Sequence, residues 1–193
     1  MIPTRTFIYF TFYLFTGLLF SCSAQHSQES LTSQEEFEKK YKTYLSTYPE
    51  EQLLSLEVIQ DVKNFSVEDI TGNSITFGKD SNKPTVLLLF ATWCPSCKVA
   101  MEEINKKLIQ LKGNVQFISI GREHSKEELI EWSKNRKTKM KIVEDENREI
   151  FNYFAEEYIP RVYVIDKEGK VIFQDYGWSA ETTEMVEEAL DLI

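Results

Sequence analysis

Cysteine, histidine and glycine are all scarce in this chain of 193 residues. It has three cysteines, two histidines and seven glycines, and only Cys94 and Cys97 stand close together. A structural zinc site needs about four ligands, so the lack of a second cysteine pair argues against zinc. No internal repeat, glycine-rich phosphate loop or serine–histidine–aspartate order is found, so none of them suggests a function.

Positive charge is scarce as well. Lys and Arg number 22 against 31 Asp and Glu, which gives a formal net charge of −9. An acidic surface argues against nucleic-acid binding and against attachment to anionic lipid by charge. The length of the chain suits one domain with a sizeable core.

The N-terminus resembles the export signal of a bacterial lipoprotein. Arg5 is the only charged side chain before Cys22, and residues 7–20 are almost all apolar or aromatic. A bilayer-spanning helix needs roughly 20 such residues, whereas a short positive segment before a short apolar one is typical of a secretory signal. Leu19-Phe20-Ser21-Cys22 resembles a lipobox, which implies cleavage before Cys22 and a diacylglycerol on its thiol. The alternatives are an ordinary signal peptide with an incidental cysteine, and a retained anchor helix.

Four consecutive segments are predicted. Residues 1–21 form the lipoprotein signal peptide, and residues 22–33, which are polar and rich in Ser and Gln, form a tether. Residues 34–60 form an N-terminal helical segment, because aromatic residues recur there at helical spacing. We expect that helix to pack on the domain's own core, the alternative being a docking helix for a partner. Residues 61–193 carry the main domain.

Cys94 and Cys97 stand where a predicted buried strand gives way to a predicted helix. Residues 85–91 are a continuous apolar run, which is typical of a strand buried on both faces. Pro95 suits the first position of a helix and Gly113 its C-terminal cap. The apolar residues after the pair recur at helical spacing: Val99, Met101, Ile104, Leu108 and Leu111.

This placement predicts a reactive pair. A disulfide that closes so short a loop adds little stability, so a structural role is disfavoured. Free amides and the positive end of the helix dipole stabilise an anion at a helix N-terminus. We therefore expect Cys94, at the exposed helix start, to ionise readily and act as nucleophile. Cys97, more deeply buried, would resolve the mixed disulfide.

Hydrophobic periodicity predicts alternating strands and helices in the rest of the chain. Ser125 begins the capping-box pattern Ser-Lys-Glu-Glu of a helix N-terminus, and Asp166 to Lys170 form a hairpin turn. Strands are predicted at residues 114–120, 140–143, 161–166 and 171–174, and helices at residues 125–136, 147–157 and 181–192.

The order strand, Trp-Cys-Pro-Ser-Cys, helix resembles the thioredoxin superfamily, and in particular its exported, membrane-tethered ResA/TlpA-like thiol–disulfide oxidoreductases. The resemblance covers roughly residues 62–193, and its signature is Phe90-Ala91-Thr92-Trp93-Cys94. It implies a thioredoxin-like α/β fold over residues 61–193, with three α/β/α layers and a mixed central sheet. It also implies a leading β-hairpin at residues 65–77, with Gly72-Asn73 at its turn, and an inserted αβ unit near residues 122–146.

The resemblance also implies roles for residues around the pair. Pro160 would be a cis-proline facing the two cysteines, the alternative being an ordinary trans proline at the start of a strand. Trp93, Pro95, Ile159 and Pro160 would form an apolar groove for the substrate. Arg161, where the family commonly has Thr, would contact acidic substrates, the alternative being a strand-edge side chain that reaches solvent.

Two carboxylates that are common in the superfamily are missing. A Glu often stands three residues after the second cysteine, where this chain has Ala100, and thioredoxins proper have a buried Asp at the place of Leu88. Such a group accepts the proton of the resolving thiol, whose pKa rises on burial. We expect solvent or the departing substrate thiolate to take the proton from Cys97, the alternative being a carboxylate that folding brings near.

The sequence therefore predicts a thiol–disulfide oxidoreductase whose redox-active group is the Cys94–Cys97 disulfide, with no other cofactor and no metal. The resemblance implies lipid anchoring through Cys22 to a bacterial membrane, with the domain in the periplasm or elsewhere outside the cytoplasm. It implies reduction of exported proteins, including apocytochrome c, with electrons from a membrane thiol carrier, the alternative being the reverse reaction, in which the oxidised pair accepts a substrate thiolate.

Two other functional classes remain open. One is a peroxide-reducing antioxidant enzyme of the same broad fold, although peroxiredoxins use a Thr-x-x-Cys placement with a distant resolving cysteine. The other is a non-catalytic binding module, which would not need both Cys94 and Cys97.

Overall fold

The computed structural model describes residues 31–54, 56–79, 81–110 and 113–193. The predicted signal peptide, Cys22 and most of the tether lie outside these residues. The chain divides into two compact units, the first ending at Tyr44 and the second beginning at Leu45. Within the described residues, no helix is both long and apolar enough to cross a bilayer.

A helix, α1, covers residues 31–45, so that all but its last residue belongs to the first unit. The rings of Phe37 and Tyr41 stack along one side of it, with their centroids 6.1 Å apart. The aromatic spacing thus predicted a helix correctly. Whether this helix packs on the domain or docks a partner stays a prediction.

The second unit is built on a mixed five-stranded sheet with the order β5-β4-β3-β6-β7. The central strand β3 is buried along its whole length, as expected for a strand covered on both faces. It runs parallel to β4, which is parallel to β5, and antiparallel to β6, which is antiparallel to β7. The strands are β3 Thr85–Phe90, β4 Gln116–Arg122, β5 Lys141–Asp145, β6 Arg161–Ile165 and β7 Val171–Tyr176.

Helices and a separate hairpin complete this unit. The hairpin pairs β1 (Phe65–Glu68) with β2 (Ser74–Phe77) in antiparallel register. Its turn includes Gly72 at φ 89°, a backbone conformation that glycine adopts without strain. The helices are α2 Glu50–Leu54, α3 Pro95–Glu103, α4 Lys126–Ser133, α5 Phe151–Phe154 and α6 Ala180–Asp191.

The two faces of the sheet are covered by different elements. Side chains alternate along a strand, so Leu87 and Leu89 face one side, where they join a core shared with the hairpin and α5. On the opposite side the Phe90 ring packs 5.1 Å from that of Trp132 in α4, and α6 contacts β6 and β7. This is the predicted α/β fold with a mixed central sheet, a leading hairpin and an inserted unit that adds α4 and β5.

Two helix predictions need correction. The predicted helix over residues 147–157 is α-helical only at Phe151–Phe154. Arg148 has a left-handed φ of 60° and Ala155 is extended, so the helix cannot continue past either residue. The Asp145 carboxylate accepts the amides of Ile150 and Phe151 and fixes the start of the short helix.

The helix after Cys97 also ends earlier than predicted. α3 passes into a π-helical segment, Ile104–Leu108, closed by a bond from the Ile109 amide to the Ile104 carbonyl. Gly113 therefore does not cap it. Val99 was placed on its apolar face but is exposed, whereas Met101, Ile104 and Leu108 are buried as predicted.

Candidate functional site

Cys94 and Cys97 are joined by a disulfide at the start of α3, with their Cα atoms 5.3 Å apart. Cys94 is the N-cap residue and Pro95 occupies the first turn, as the sequence predicts. The amide of Cys97 donates a hydrogen bond of 3.1 Å to Cys94 Sγ. The Cys94 sulfur thus receives an amide dipole in addition to the field of the helix N-terminus.

Both cysteines are buried in this oxidised form. Cys94 is 3% exposed and Cys97 is 1% exposed. The expected contrast between an exposed Cys94 and a buried Cys97 is therefore wrong for the disulfide. The reason is that Cys94 Sγ lies 3.9 Å from the Ile159 carbonyl oxygen and 3.5 Å from Ser96 Oγ, which cover it.

The redox turn, residues 91–94, links β3 to α3. The amide of Cys94 donates to the Ala91 carbonyl at 3.2 Å, which closes the turn. The amide of Thr92 points the other way and donates to Nε2 of His124 at 3.0 Å. The turn is therefore held both by its own backbone and by a side chain from beyond β4.

His124 is a residue that sequence reasoning did not place in the site. It lies just after β4, is 8% exposed, and also has Nε2 3.2 Å from Thr92 Oγ1. One signal was available, since parallel neighbouring strands end at the same edge of a sheet. A residue just after β4 must therefore lie near the residues just after β3.

The proline loop, residues 155–160, faces the redox turn. The Ile159–Pro160 peptide bond is cis, which confirms the prediction made from the resemblance. Pro160 is buried, and its carbonyl accepts the Gly177 amide at 2.8 Å. Because the Ile159 carbonyl contacts Cys94, this loop forms one wall beside the reactive sulfur.

An apolar surface surrounds the covered disulfide. Trp93 is 62% exposed, Pro95 is exposed and Ile159 is half-buried. Tyr158, which sequence reasoning missed, is 52% exposed and stacks on Tyr176, with ring centroids 5.5 Å apart. Trp93 and Pro95 flank Cys94, whose sulfur the Ile159 carbonyl contacts, whereas Pro160 is buried, so a substrate groove formed by these four residues stays a prediction.

Arg161 does not lie where either interpretation put it. It is 1% exposed, so its side chain does not reach solvent, and the same burial removes it from direct contact with a substrate. Its Nε donates to the Glu157 carbonyl at 2.9 Å, and its guanidinium lies 5.5 Å from the centre of the Tyr176 ring. Burial raises the pKa of the neighbouring Tyr163 to about 12, an effect that the Arg161 charge opposes.

The two positions that lack the superfamily's carboxylates, Leu88 and Ala100, are fully buried. Strand register places Asp175 in the same row as Leu88, across Val162 and therefore about 10 Å away. Asp175 is buried and accepts hydrogen bonds from Tyr48 Oη at 2.8 Å and from Thr182 Oγ1 at 3.1 Å. It shares the row of Leu88, but both of its oxygens already accept hydrogen bonds.

A separate cavity of about 410 Å³ lies between α3 and residues 132–139. It is lined by Lys98 and four further cationic side chains but by neither sulfur. Among the described residues, no cluster of three His, Cys, Asp or Glu side chains is arranged to hold a metal ion.

Comparison with protein families agrees with this arrangement. The model of the AhpC/TSA family matches residues 58–174, which is more than half of the chain. The chain belongs to the AhpC/TSA family. The match spans the hairpin, the redox turn, the inserted unit and the proline loop.

Curated relatives of this chain are thiol–disulfide oxidoreductases. Thiol-disulfide oxidoreductase ResA of Bacillus thuringiensis subsp. konkukian is 27% identical over 139 residues, covering 72% of this chain and 79% of that protein. ResA of Bacillus subtilis is 25% identical over 134 residues, covering 69% and 74%. These relatives confirm the resemblance to ResA/TlpA-like proteins. With the Cys94–Cys97 disulfide, they support thiol–disulfide oxidoreductase activity.

Solved structures confirm the fold. A putative thiol:disulfide interchange protein DsbE from Chlorobium tepidum has a TM-score of 0.61 at 17% identity, over 70% of this chain and 99% of that one. StoA from Bacillus subtilis has a TM-score of 0.55 at 20% identity, over 64% and 96%. The prediction of a thioredoxin-like fold is therefore confirmed.

Proposed function

We propose that the protein reduces disulfides in other exported proteins through the Cys94–Cys97 dithiol. The observation that carries this proposal is the position of Cys94, whose sulfur caps α3 and accepts the Cys97 amide at 3.1 Å. An amide and a helix N-terminus both stabilise a thiolate more than a thiol. Cys94 is therefore the sulfur that attacks.

The reaction proceeds in two exchanges. The Cys94 thiolate attacks one sulfur of the substrate disulfide, forms a mixed disulfide and releases the first substrate thiolate. Cys97 then loses its proton and attacks Cys94 Sγ, which releases the second substrate thiolate and leaves the Cys94–Cys97 disulfide. Two electrons pass from the dithiol to the substrate. A membrane-embedded thiol carrier returns two electrons to the enzyme.

The substrate groove is formed by the exposed Trp93 and Pro95 on one side and by Ile159 and Pro160 on the other. An extended apolar stretch beside the target disulfide would bury these side chains, which supplies binding energy of about 25 cal/mol per Å² of apolar surface. Apocytochrome c is the substrate that the resemblance implies.

Arg161 takes a different part in this proposal from the one expected. Its bond to the Glu157 carbonyl and its contact with the Tyr176 ring place it behind the proline loop. It supports the shape of that loop, and so orients the Tyr158 side chain and the cis-proline toward the substrate.

The proposed location is outside the cytoplasm, on a bacterial membrane. Cys22 follows a lipobox-like segment, and the tether of residues 22–33 would hold the domain at a distance from the lipid. The mature protein should begin at Cys22 and partition into detergent. Mass spectrometry of the mature N-terminus tests this, and a chain that is cut elsewhere or retains its first residues would rule out the lipid anchor.

Peroxide reduction is the second candidate, because the matching family model is that of AhpC/TSA. Against it, the partner of Cys94 stands only three residues away, in the same turn of helix. Turnover with a protein disulfide should greatly exceed turnover with hydrogen peroxide when both are measured with the same thiol donor. The reverse ratio would favour the peroxidase, and no turnover with either would favour a non-catalytic module.

A further inference from the structure

The imidazole of His124 is fixed between the redox turn and α4. On one side Nε2 accepts from the Thr92 amide at 3.0 Å. On the other side Nδ1 lies 3.6 Å from Oε2 of Glu128, the capping-box residue of α4. His124 thus connects the inserted αβ unit to the turn that carries Cys94.

This geometry determines the protonation state of the ring. A backbone N–H can only donate, so Nε2 must carry a lone pair, and the proton of a neutral imidazole must sit on Nδ1. Nδ1–H then points toward the Glu128 carboxylate. If the ring gains a second proton, Nε2 becomes a donor and faces the Thr92 amide, which is also a donor. The hydrogen bond from the Thr92 amide is then lost, and Nε2–H can donate only to Thr92 Oγ1, 3.2 Å away.

We propose that His124 is a positioning residue for disulfide exchange: its neutral ring fixes the Thr92 amide and thereby Cys94, and its protonation releases that amide. The proposal rests on the thiol–disulfide activity of Cys94, and it adds a control that neither the fold nor the cysteine pair implies. Thr92 stands only two residues before Cys94, so a shift of its amide changes the position from which α3 begins.

Two carboxylates lie beside the ring. Glu128 faces Nδ1 directly, and its pKa is held below the usual range first by the Ser125 amide and then by His124 itself. Glu123 adds a second carboxylate, whose pKa is lowered mainly by Arg122. Arg148 also lies 3.8 Å from Glu123, so the cations here are paired with that carboxylate. Glu128 therefore remains ionised in mild acid and attracts the protonated ring away from Thr92.

Histidine is the side chain that normally changes charge between about pH 5 and 8. Disulfide exchange should therefore lose the contribution of the fixed turn as the pH falls through that range. The Cys94 thiol also becomes protonated as the pH falls, which slows exchange independently of His124. The effect of His124 therefore has to be measured separately from the loss of thiolate.

The oxidised protein provides that separation, because disulfide-bonded cysteines do not titrate. We would follow the Thr92 amide by nuclear magnetic resonance from pH 8 to pH 5. It should titrate in the unmodified protein and in His26→Gln, which removes the chain's other imidazole. It should not titrate in His124→Gln, whose amide oxygen can accept the same bond but carries no charge.

The rate of exchange gives the functional readout. At pH 8, His124→Gln should react with a disulfide peptide at nearly the unmodified rate, whereas His124→Ala should be about threefold to tenfold slower because one hydrogen bond is lost. At pH 5.5, His124→Gln should be faster than the unmodified protein by a similar factor. A Thr92 amide that does not titrate, or equal pH profiles for the unmodified protein and His124→Gln, would overturn the proposal.

The two proposals fail in different ways. If the unmodified protein does not exchange disulfides at pH 8, the proposed function fails, while the Thr92 titration still decides the role of His124. If His124→Ala does not fold, the comparison between His124→Gln and the unmodified protein alone is sufficient.

Discussion

The redox turn and the proline loop meet at one sulfur but are held in place in different ways. In the redox turn, the Cys94 amide bonds to Ala91 and the Cys97 amide bonds to Cys94, both within a few residues. His124 adds one link from the inserted unit. The turn therefore forms mainly from local backbone bonds.

The proline loop is held mainly by side chains, some close in sequence and one, Glu57, far from it. The carboxylate of Glu57 accepts the Glu156 amide at 2.9 Å, and Arg148 donates to the Glu156 carbonyl. Arg161 donates to the next carbonyl, and Tyr158 stacks on Tyr176. The loop can therefore be weakened without disturbing the turn, which separates substrate binding from sulfur chemistry.

The largest expected effect lies in the redox turn. Cys94→Ser should abolish turnover of disulfide substrates, because the attacking sulfur is gone while the fold keeps its core. Assay with a disulfide peptide and a thiol donor checks this, with Ser96→Ala as a matched neighbour on α3 that should stay active. Substantial turnover by Cys94→Ser would mean that Cys97 is the attacking sulfur.

Next in size is the loss of the buried guanidinium behind the proline loop. Arg161→Ala removes the bond to Glu157 and the contact with Tyr176, and it should lower the free energy of unfolding by about 2–3 kcal/mol. Urea denaturation measures this. Arg161→Lys keeps the charge but loses the Nε bond. Its free energy of unfolding should lie between that of the unmodified protein and that of Arg161→Ala.

The same variant should change binding more than chemistry. Because the redox turn does not depend on Arg161, KM for a peptide substrate should rise while the rate of Cys94 alkylation in the reduced protein stays unchanged. An unchanged free energy of unfolding in Arg161→Ala would show that Arg161 does not support the proline loop. An alkylation rate of Cys94 that falls as much as the affinity for the peptide would show that the redox turn and the proline loop are not independent.

This comparison also explains what could be predicted from the sequence. The strand before Cys94 and the position of Cys94 at the start of a helix depend on local patterns and were predicted correctly, although that helix ends earlier than predicted. The capping box of Ser125 and Glu128 forms for the same reason. Local signals were sufficient wherever neighbouring residues supply the bonds.

The errors occurred where individual side-chain bonds, backbone conformations or strand pairing decide the structure, because none of these leaves a periodic pattern in the sequence. The helix predicted over residues 147–157 failed because the Asp145 carboxylate and the left-handed Arg148 restrict it to one turn. Arg161 looked like a solvent-reaching side chain because its carbonyl and aromatic contacts come from the proline loop and from β7. His124 lies 30 residues from Cys94 in sequence (124 − 94) and only the parallel register of β3 and β4 brings them together.

A smaller effect is expected at the exposed rim of the proline loop. Tyr158→Ala removes the stacking on Tyr176 and should raise KM for an apolar peptide about twofold to tenfold, the worth of one aromatic contact. Tyr158→Phe keeps the ring and should bind normally. A change in kcat without a change in KM would show that Tyr158 acts on the chemistry instead.

The smallest expected effect concerns the proton of Cys97. With Leu88 and Ala100 apolar, the resolving step should slow steadily below neutral pH and show no inflection from a carboxylate. Ala100→Glu places a carboxylate one helical turn after Cys97, where burial should raise its pKa, and should create an inflection between about pH 5 and 8.

Stopped-flow measurement of mixed-disulfide decay gives both profiles. An inflection already present in the unmodified protein, and abolished by Asp175→Asn, would contradict this expectation and identify Asp175 as the base.

The central claim is that Cys94 attacks the substrate and Cys97 resolves the mixed disulfide, and trapping the mixed disulfide tests it most directly. Cys97→Ser leaves Cys94 free to attack but removes the sulfur that resolves the product. Mass spectrometry after reaction with a disulfide peptide should find the peptide attached to Cys94 in nearly every Cys97→Ser molecule, and should find none attached in Cys94→Ser. Equal trapping by both variants, or trapping only by Cys94→Ser, would contradict the proposed mechanism.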